Sequence, residues 1–231
     1  MISLKILQYN TDNLRHGWDY FKKNLDKADL AVLQRFPRGK KSDLMEAMSG
    51  CRSYMVESCP PNDLCLAIAR NKNVSSFSGI ESITLPSAQH VIATGNAFQG
   101  CTALKTIVSG INIISFLPCY AEAEGEFPIS FIESKTDIKF LLEKFKNEPT
   151  IIFGDFHVNP NDESVNNIIK SNKFKSYLDN QKTFRGHDGE SFFNLDKCIS
   201  NIDIELKNIC IDDISDSVGH MAITYTLNIE K

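Results

Sequence analysis

Short runs of apolar residues alternate along the chain with segments whose apolar residues recur at helical spacing. Apolar runs of this length, bounded by polar or turn-forming residues, are typical of buried β-strands. The runs that predict strands are 4–9, 28–34, 64–69, 82–85, 104–108, 111–117, 150–153, 197–200, 204–209 and 222–227. Helical spacing predicts helices over 18–25, 44–48, 135–145 and 165–169. Because no repeat or Pro/Gly/Ser-rich linker interrupts the series, we expect one α/β (α+β) domain over residues 1–231.

Composition and charge exclude several classes of protein. With 231 residues, 42% hydrophobic and 23% charged, the chain has an ordinary globular composition that excludes disordered and fibrous proteins. Its longest apolar runs, such as 111–117, are far shorter than the ~20 residues a membrane helix requires. The net charge of −4 argues against broad non-specific binding to nucleic acid, although a local basic face is compatible with it. Seven cysteines without a CxxC pair, together with the lack of a signal peptide, indicate reduced thiols and a cytoplasmic location.

The most informative motif follows the predicted strand 150–153. Asp155 and His157 come where this strand ends, two residues apart, so both point to the same side. An acid and an imidazole in this arrangement can hold a metal-bound water or a phosphate. An ordinary strand-to-loop turn with a capping aspartate fits the same residues. Taken alone, the motif leaves both interpretations open.

Three further segments place polar residues at strand ends. Asn10 and Asp12 follow the first predicted strand and offer oxygen ligands for a cation such as Mg²⁺, or an Asx-turn and helix cap. Arg185 belongs to a Thr-Phe-Arg segment, and Asp196 precedes a predicted strand. His220 also stands immediately before a strand, where a lone histidine is more often structural than catalytic.

In their order and spacing, these segments resemble the endonuclease/exonuclease/phosphatase superfamily of exonuclease III-like and DNase I-like enzymes. The resemblance spans about residues 4–227. The matching segments are 9–15 with the family's Trp-Asn-Val-Asp-Gly-Leu-Arg, 29–35 with D-I-x-x-L-Q-E, 154–157 with G-D-F-N, 183–184 and 195–196 with T-F … I-D-Y, and 219–223 with S-D-H-x-P-I. The resemblance implies a four-layer α/β sandwich of two packed mixed β-sheets flanked by helices, with the motif loops meeting at one edge.

The resemblance also implies a chemistry for five residues that match the family. In that family a divalent cation, Mg or Mn here, is held by three acids, of which this chain keeps Asp12. Asp155 would activate the attacking water, and His220, paired with Asp196, would stabilise the charge that develops on phosphorus. Asn10 would contact the substrate. The implied substrate is a nucleic acid or a nucleotide phosphodiester, and the implied enzyme is a nuclease or nucleotide phosphodiesterase.

Four positions depart from the family pattern. Arg35 stands in place of a metal-binding glutamate, Gly219 in place of an aspartate, His157 in place of an asparagine, and Phe116 at the position of an active-site Tyr or His. At about 5 Å and an effective dielectric constant of about 20, repulsion between an arginine and a divalent cation is of order 6–7 kcal/mol. Arg35 and Gly219 together therefore predict weakened binding of Mg or Mn at Asp12.

The departures leave alternative functions open. In one, Arg35 replaces the metal and binds phosphate with Arg185 as a further contact, and Asp155 or His157 is the general base. In another, Arg35 pairs with Asp12, and the inactive domain binds a protein or nucleic acid. A register slip that leaves Arg35 on the surface is a third interpretation. Basic segments 37–41 and 170–182, the second carrying aromatic residues, suit a phosphodiester backbone or a solvated surface.

Overall fold

In its described residues, a computed structural model of the chain shows two large β-sheets and three helices of eight residues or more. It describes residues 1–11, 18–37, 42, 46, 48, 51, 53–59, 64–70, 78–88, 98–99, 102–118, 120–121, 127–156, 163–186, 188–214 and 219–230. The helices are α1 Trp18–Leu25, α2 Phe127–Phe145 and α3 Glu163–Ser171. The strands are β1 Ile2–Asn10, β2 Leu30–Pro37, β3 Ser53–Cys59, β4 Leu64–Arg70, β5 Glu81–Thr84, β6 Phe98–Gln99, β7 Thr102–Val108, β8 Ile111–Leu117, β9 Tyr120–Ala121, β10 Thr150–Asp155, β11 Lys175–Ser176, β12 Phe184–Arg185, β13 Phe192–Phe193, β14 Asp196–Ser200, β15 Ile204–Asp212, β16 Gly219–His220 and β17 Ala222–Ile229.

The strands form two mixed six-stranded sheets and two small ones. The first sheet has the order β15-β17-β1-β2-β4-β3, and the second has the order β11-β14-β10-β8-β7-β5. In the first, β1 runs parallel to β2 and antiparallel to β17. In the second, β10 runs parallel to β8 and antiparallel to β14. The small sheets are β13-β12-β16 and β6-β9.

The two large sheets pack face to face because alternate residues of their central strands are apolar on the facing side. In β1, Leu4 and Ile6 lie in the core between the sheets, whereas Leu7 lies on the outer face. In β10, Ile151 and Phe153 face the same core between the sheets. Gln8 also lies on the inner face and donates from Nε2 to the carbonyl oxygen of residue 197 in the second sheet, 3.1 Å away.

The helices cover the outer faces of both sheets. Phe21 and Leu25 of α1 pack against the outer face of the first sheet. The apolar sides of α2 and α3, including Ile138, Leu142 and Val165, pack against the outer face of the second. The predicted four-layer α/β sandwich is therefore confirmed. In the described part of the chain, no helix is both long and apolar enough to cross a membrane.

Several elements differ from their predicted bounds. The second strand runs to Pro37 instead of residue 34, and α2 begins at Phe127, eight residues before the predicted start at 135. Strand β3 was not predicted, because Glu57 and its short polar neighbours interrupt the apolar pattern. Strands β11, β12, β13 and β16 have two residues each, which is too few to form a periodic pattern. Most of the helix predicted over 44–48 lies outside the described residues.

Candidate active site

Polar residues from both sheets meet at one edge of the sandwich. Asn10 ends β1, Asp155 ends β10, and Asp196 begins β14 directly opposite Asp155 in the antiparallel register. The alternation that buries Ile6 and Phe153 between the sheets also turns Asn10 and Asp155 towards each other. The edge therefore brings together residues that are far apart in sequence but that all lie at strand ends.

Asn10, Asp155, His220 and Asp196 form a continuous chain of short contacts. Asn10 Nδ2 donates to Asp155 Oδ2 at 2.8 Å and lies 3.2 Å from His220 Nε2. His220 Nε2 lies 3.3 Å from Asp155 Oδ2, and its Nδ1 lies 2.9 Å from Asp196 Oδ2. All four residues are at most 3% exposed. We call this group the carboxylate–histidine cluster.

The imidazole of the carboxylate–histidine cluster lies between two carboxyl groups, and this position raises its pKa. Burial alone lowers the pKa of His220, but the negative charges of Asp196 and Asp155 outweigh it, and the pKa is raised above its ordinary value. Burial is the largest influence on Asp196 and raises the pKa of this carboxyl despite the opposing charge of His220. The imidazole donates from Nδ1 to Asp196 Oδ2, which fixes its orientation, and its Nε2 lies at ion-pair distance from Asp155 Oδ2.

Thr183 connects the loop before β14 to the carboxylate–histidine cluster. Its Oγ1 accepts hydrogen bonds from the backbone N–H groups of Leu195 at 3.2 Å and Asp196 at 3.1 Å. Its carbonyl oxygen accepts from the N–H of Met221, next to His220, at 2.7 Å. Thr183 is fully buried. This one residue therefore holds the backbone on both sides of the Asp196–His220 contact.

Replacing Thr183 with valine is expected to lower the free energy of unfolding by about 2–4 kcal/mol, because one buried and one part-buried N–H group lose their acceptor. Urea denaturation measures the change. Thr183→Ser is the matched control, since it keeps Oγ1 and is expected to lose less than half as much stability. Equal destabilisation by the two variants would show that the hydroxyl is not the important group.

Arg35 lies at the same edge as the carboxylate–histidine cluster. Its exposed fraction is only 9%, and its positive charge acts on His220 in the direction that lowers the histidine's pKa. A β-bulge between Leu33 and Phe36 gives Arg35 a φ of 55°. Thr11 stabilises this bulge by donating from Oγ1 to the Arg35 carbonyl oxygen at 3.1 Å. The surface position considered for Arg35 is therefore not observed.

Arg185 lies on β12 beside the cluster, but its guanidinium contacts residues outside the cluster. Its Nη2 donates to Asp213, and its guanidinium lies 5.5 Å from the centre of the Phe192 ring. The neighbouring Phe184 packs edge-on against the His220 ring, with the two ring centres 4.8 Å apart. The structure therefore brings Phe184 against the histidine, and the role of Arg185 in binding substrate stays a prediction.

Gly219 adopts a backbone conformation that favours glycine. Gly219 pairs with Arg185 across the small sheet and has a φ of 152°, which L-residues with side chains rarely adopt. An aspartate, as the family pattern has here, would be strained in this conformation.

Asp12, the predicted metal ligand, and His157, a predicted catalytic residue, lie outside the described residues.

The placement of Phe116 in the site is wrong. Phe116 is 1% exposed and lies on the outer face of the second sheet, edge-on to Phe156 at 5.4 Å. Its neighbour Ser115 faces the first sheet and accepts a hydrogen bond from Gln34 Nε2 at 3.1 Å. Strand alternation from Ile113 would have predicted this inner position for Ser115. Phe174 of the basic segment 170–182 is also buried in the core, so it is not available to stack on a base.

The described residues do not fit a divalent metal ion. Among them, no three His, Cys, Asp or Glu side chains are arranged to hold a metal. Asp155 Oδ2 accepts from Asn10 and Asp196 Oδ2 accepts from His220, so these two oxygens have hydrogen-bond partners, whereas the buried Asp196 Oδ1 has none. The nearby positive charge of Arg35 further disfavours a second cation.

Comparison with known proteins shows what this arrangement is similar to. No protein-family model and no curated protein matches the chain. Among solved structures, D. rerio TDP2 with a single-strand DNA product is 14% identical, with a TM-score of 0.70 over 99% of this chain and 100% of that one. The 3′ phosphatase NExo from Neisseria, bound to a product DNA hairpin, gives the same identity, TM-score and coverage. The human Nocturnin catalytic domain with a bound sulfate anion is 14% identical, with a TM-score of 0.66 over 99% of this chain and 94% of that one.

A structure described as the endonuclease/exonuclease/phosphatase from Bacteroides vulgatus is 13% identical and has a TM-score of 0.70, with all of both chains covered. A similarity at this level of identity reports architecture, and the architecture agrees over almost the whole length of each chain. The two mixed sheets, their outer helices and the polar edge between them therefore give this chain the fold of the endonuclease/exonuclease/phosphatase proteins.

Proposed function

We propose that the chain hydrolyses phosphodiester bonds in a nucleic acid or nucleotide. The observation that carries this proposal is the carboxylate–histidine cluster, in which a buried imidazole lies between Asp155 and Asp196. The similar structures add support, because TDP2 holds a single-strand DNA product and NExo a DNA hairpin. The sulfate of Nocturnin is a tetrahedral anion like phosphate.

Asp155 is the general base of the proposed reaction. Its carboxylate ends β10 at the polar edge and takes a proton from the attacking water as the oxygen–phosphorus bond forms. The bond from phosphorus to the leaving oxygen then breaks. Asn10 holds the Asp155 carboxylate through the 2.8 Å hydrogen bond and fixes its direction.

His220 and Asp196 stabilise the charge that develops on the phosphoryl oxygens. When substrate is bound, the protonated imidazole donates from Nε2 to a phosphoryl oxygen, which takes the place of the ion pair with Asp155. Asp196 accepts from Nδ1 and keeps the ring in the required orientation. Arg35 supplies a second positive charge at the same edge.

A second candidate function is binding without catalysis, to a nucleic acid or a protein through the same edge. Two observations favour it. A positive charge, Arg35, lies where the family pattern has a metal-binding glutamate, and the described residues contain no group of three metal-ligating side chains. A binding module of this kind would show no turnover under any condition.

The pH dependence of hydrolysis tests the proposed function. Single-stranded DNA, RNA and a dinucleotide are incubated with the protein in Mg²⁺, Mn²⁺ or EDTA, and hydrolysis is measured across pH. Because the pKa of His220 is raised, its protonated form persists above about pH 6.5, and the rate is expected to fall only at higher pH. Asp196→Asn removes the main negative charge that raises this pKa and is expected to move the alkaline limb to lower pH. Lack of hydrolysis of every substrate would contradict the proposed function and favour the binding module.

A further inference from the structure

The described part of the polar edge contains as many basic as acidic groups. Two carboxyl groups, Asp155 and Asp196, lie there with two basic groups, His220 and Arg35. A site built for a divalent cation needs an excess of carboxylates. In the described residues, an arginine and a histidine of the chain itself offset the two carboxyl groups, so no such excess is present.

A β-bulge in β2 sets the side of the sheet on which Arg35 lies. Val32 faces the core between the sheets and Leu33 faces outwards, so strict alternation would turn residue 35 outwards as well. The β-bulge after Leu33 breaks this alternation, and Arg35 takes a left-handed φ of 55°. Its charge then acts on His220, which lies on the inner side of the sheet. The bulge thus brings a guanidinium to the inner edge.

The hydrogen bonds around the bulge keep it in place. Thr11 N–H donates to the Gln34 carbonyl oxygen at 2.9 Å, and Thr11 Oγ1 donates to the Arg35 carbonyl oxygen at 3.1 Å. Gln34 Nε2 donates across the sandwich to Ser115 Oγ at 3.1 Å. These contacts bind the bulge to the end of β1 and to the second sheet. Arg35 therefore projects from a fixed segment of backbone.

We propose that the Arg35 guanidinium is the cation that binds the phosphate of the substrate, so that phosphate binding requires no divalent metal. This inference rests on the site of the proposed function. A guanidinium presents a planar fork of N–H donors that matches two phosphate oxygens at once, and it stays charged at every working pH. The ligand class is a phosphate monoester or diester, with inorganic phosphate as its simplest member.

Calorimetric titration with inorganic phosphate in EDTA tests the inference. The wild-type chain is expected to bind phosphate, and Arg35→Gln is expected to weaken binding by about tenfold or more, as for loss of a charge-assisted hydrogen bond. Lys207→Gln is the matched control, because it also removes one positive charge from a side chain that is 55% exposed and paired with Glu205. This control is expected to bind phosphate as the wild type does.

Two further variants keep the test decisive. Arg35→Lys retains the charge without the fork and is expected to bind phosphate more weakly than the wild type, which answers the question even if Arg35→Gln does not fold. Arg35→Glu is expected to lose phosphate binding, and a separate calorimetric titration with Mn²⁺ in buffer without EDTA is expected to show a higher affinity for Mn²⁺ than the wild type has. Phosphate binding that needs Mg²⁺ or Mn²⁺, or that is unchanged in Arg35→Gln and Arg35→Lys, would overturn the inference.

The assays separate this inference from the proposed function. Hydrolysis that stops in EDTA, with phosphate affinity unaffected by Arg35→Gln, would leave the hydrolase intact and overturn the role of Arg35. Phosphate binding in EDTA that depends on Arg35, without hydrolysis of any substrate, would support the role of Arg35 and contradict the hydrolase.

Discussion

Asp155→Asn is expected to reduce the rate of phosphodiester hydrolysis by about 10²–10⁴-fold, the usual contribution of a general base. Asparagine has nearly the same shape but cannot take a proton from water. It also removes the negative charge that faces His220 Nε2 at 3.3 Å. The measurement is kcat/KM on the best substrate from the pH experiment, with thermal unfolding to show that the variant is folded.

Asp203→Asn is the control for this loss. It makes the same chemical change at a carboxylate that is 87% exposed and paired with Lys175, away from the polar edge. Its kcat/KM is expected to equal that of the wild type. If Asp155→Asn retained full activity, the base would have to be another group, and the assignment of Asp155 would be wrong.

Gly154→Val is expected to lower the free energy of unfolding by about 2–4 kcal/mol, the range of severe overpacking. A Cβ atom at Gly154 would lie 2.3 Å from the carbonyl oxygen of Phe116. Neither strand can yield easily, because β10 is paired with β8 on one side and β14 on the other. Urea denaturation measures the loss.

Gly79→Ala provides the comparison, since a Cβ there meets nothing within 4 Å. Its free energy of unfolding is expected to stay within about 0.5 kcal/mol of the wild type. If Gly154→Val were as stable as Gly79→Ala, β8 and β10 could not be packed as closely as described. Glycine at 154 thus has a steric reason that is separate from its position beside the proposed base.

Strand alternation predicts much of the inner face of the fold. Leu4 and Ile6 identify the side of β1 that carries Asn10, and Ile151 and Phe153 do the same for Asp155. The same rule, applied to β8, separates Ser115 from Phe116. Position in the motif alone places Phe116 in the site, whereas strand alternation places it on the outer face, where the structure has it.

Other parts of the site depend on features without a local pattern. The side to which Arg35 turns is set by a bulge, and alternation alone would predict the opposite face. The role of Thr183 depends on β12 and β16, which have only two residues each and pair over a long sequence separation. Neither feature is visible in hydrophobic periodicity, because each arises only after the sheets have assembled.

The division of the polar edge between two sheets ties its chemistry to the cooperativity of folding. Asn10 belongs to the first sheet and Asp155 to the second, and their 2.8 Å contact exists only while the sheets keep their mutual register. A partly unfolded state that retained one large sheet alone would contain Asn10 without the others, or Asp155 and Asp196 without Asn10. Loss of function under denaturant should therefore follow global unfolding, without a separate earlier transition confined to the site.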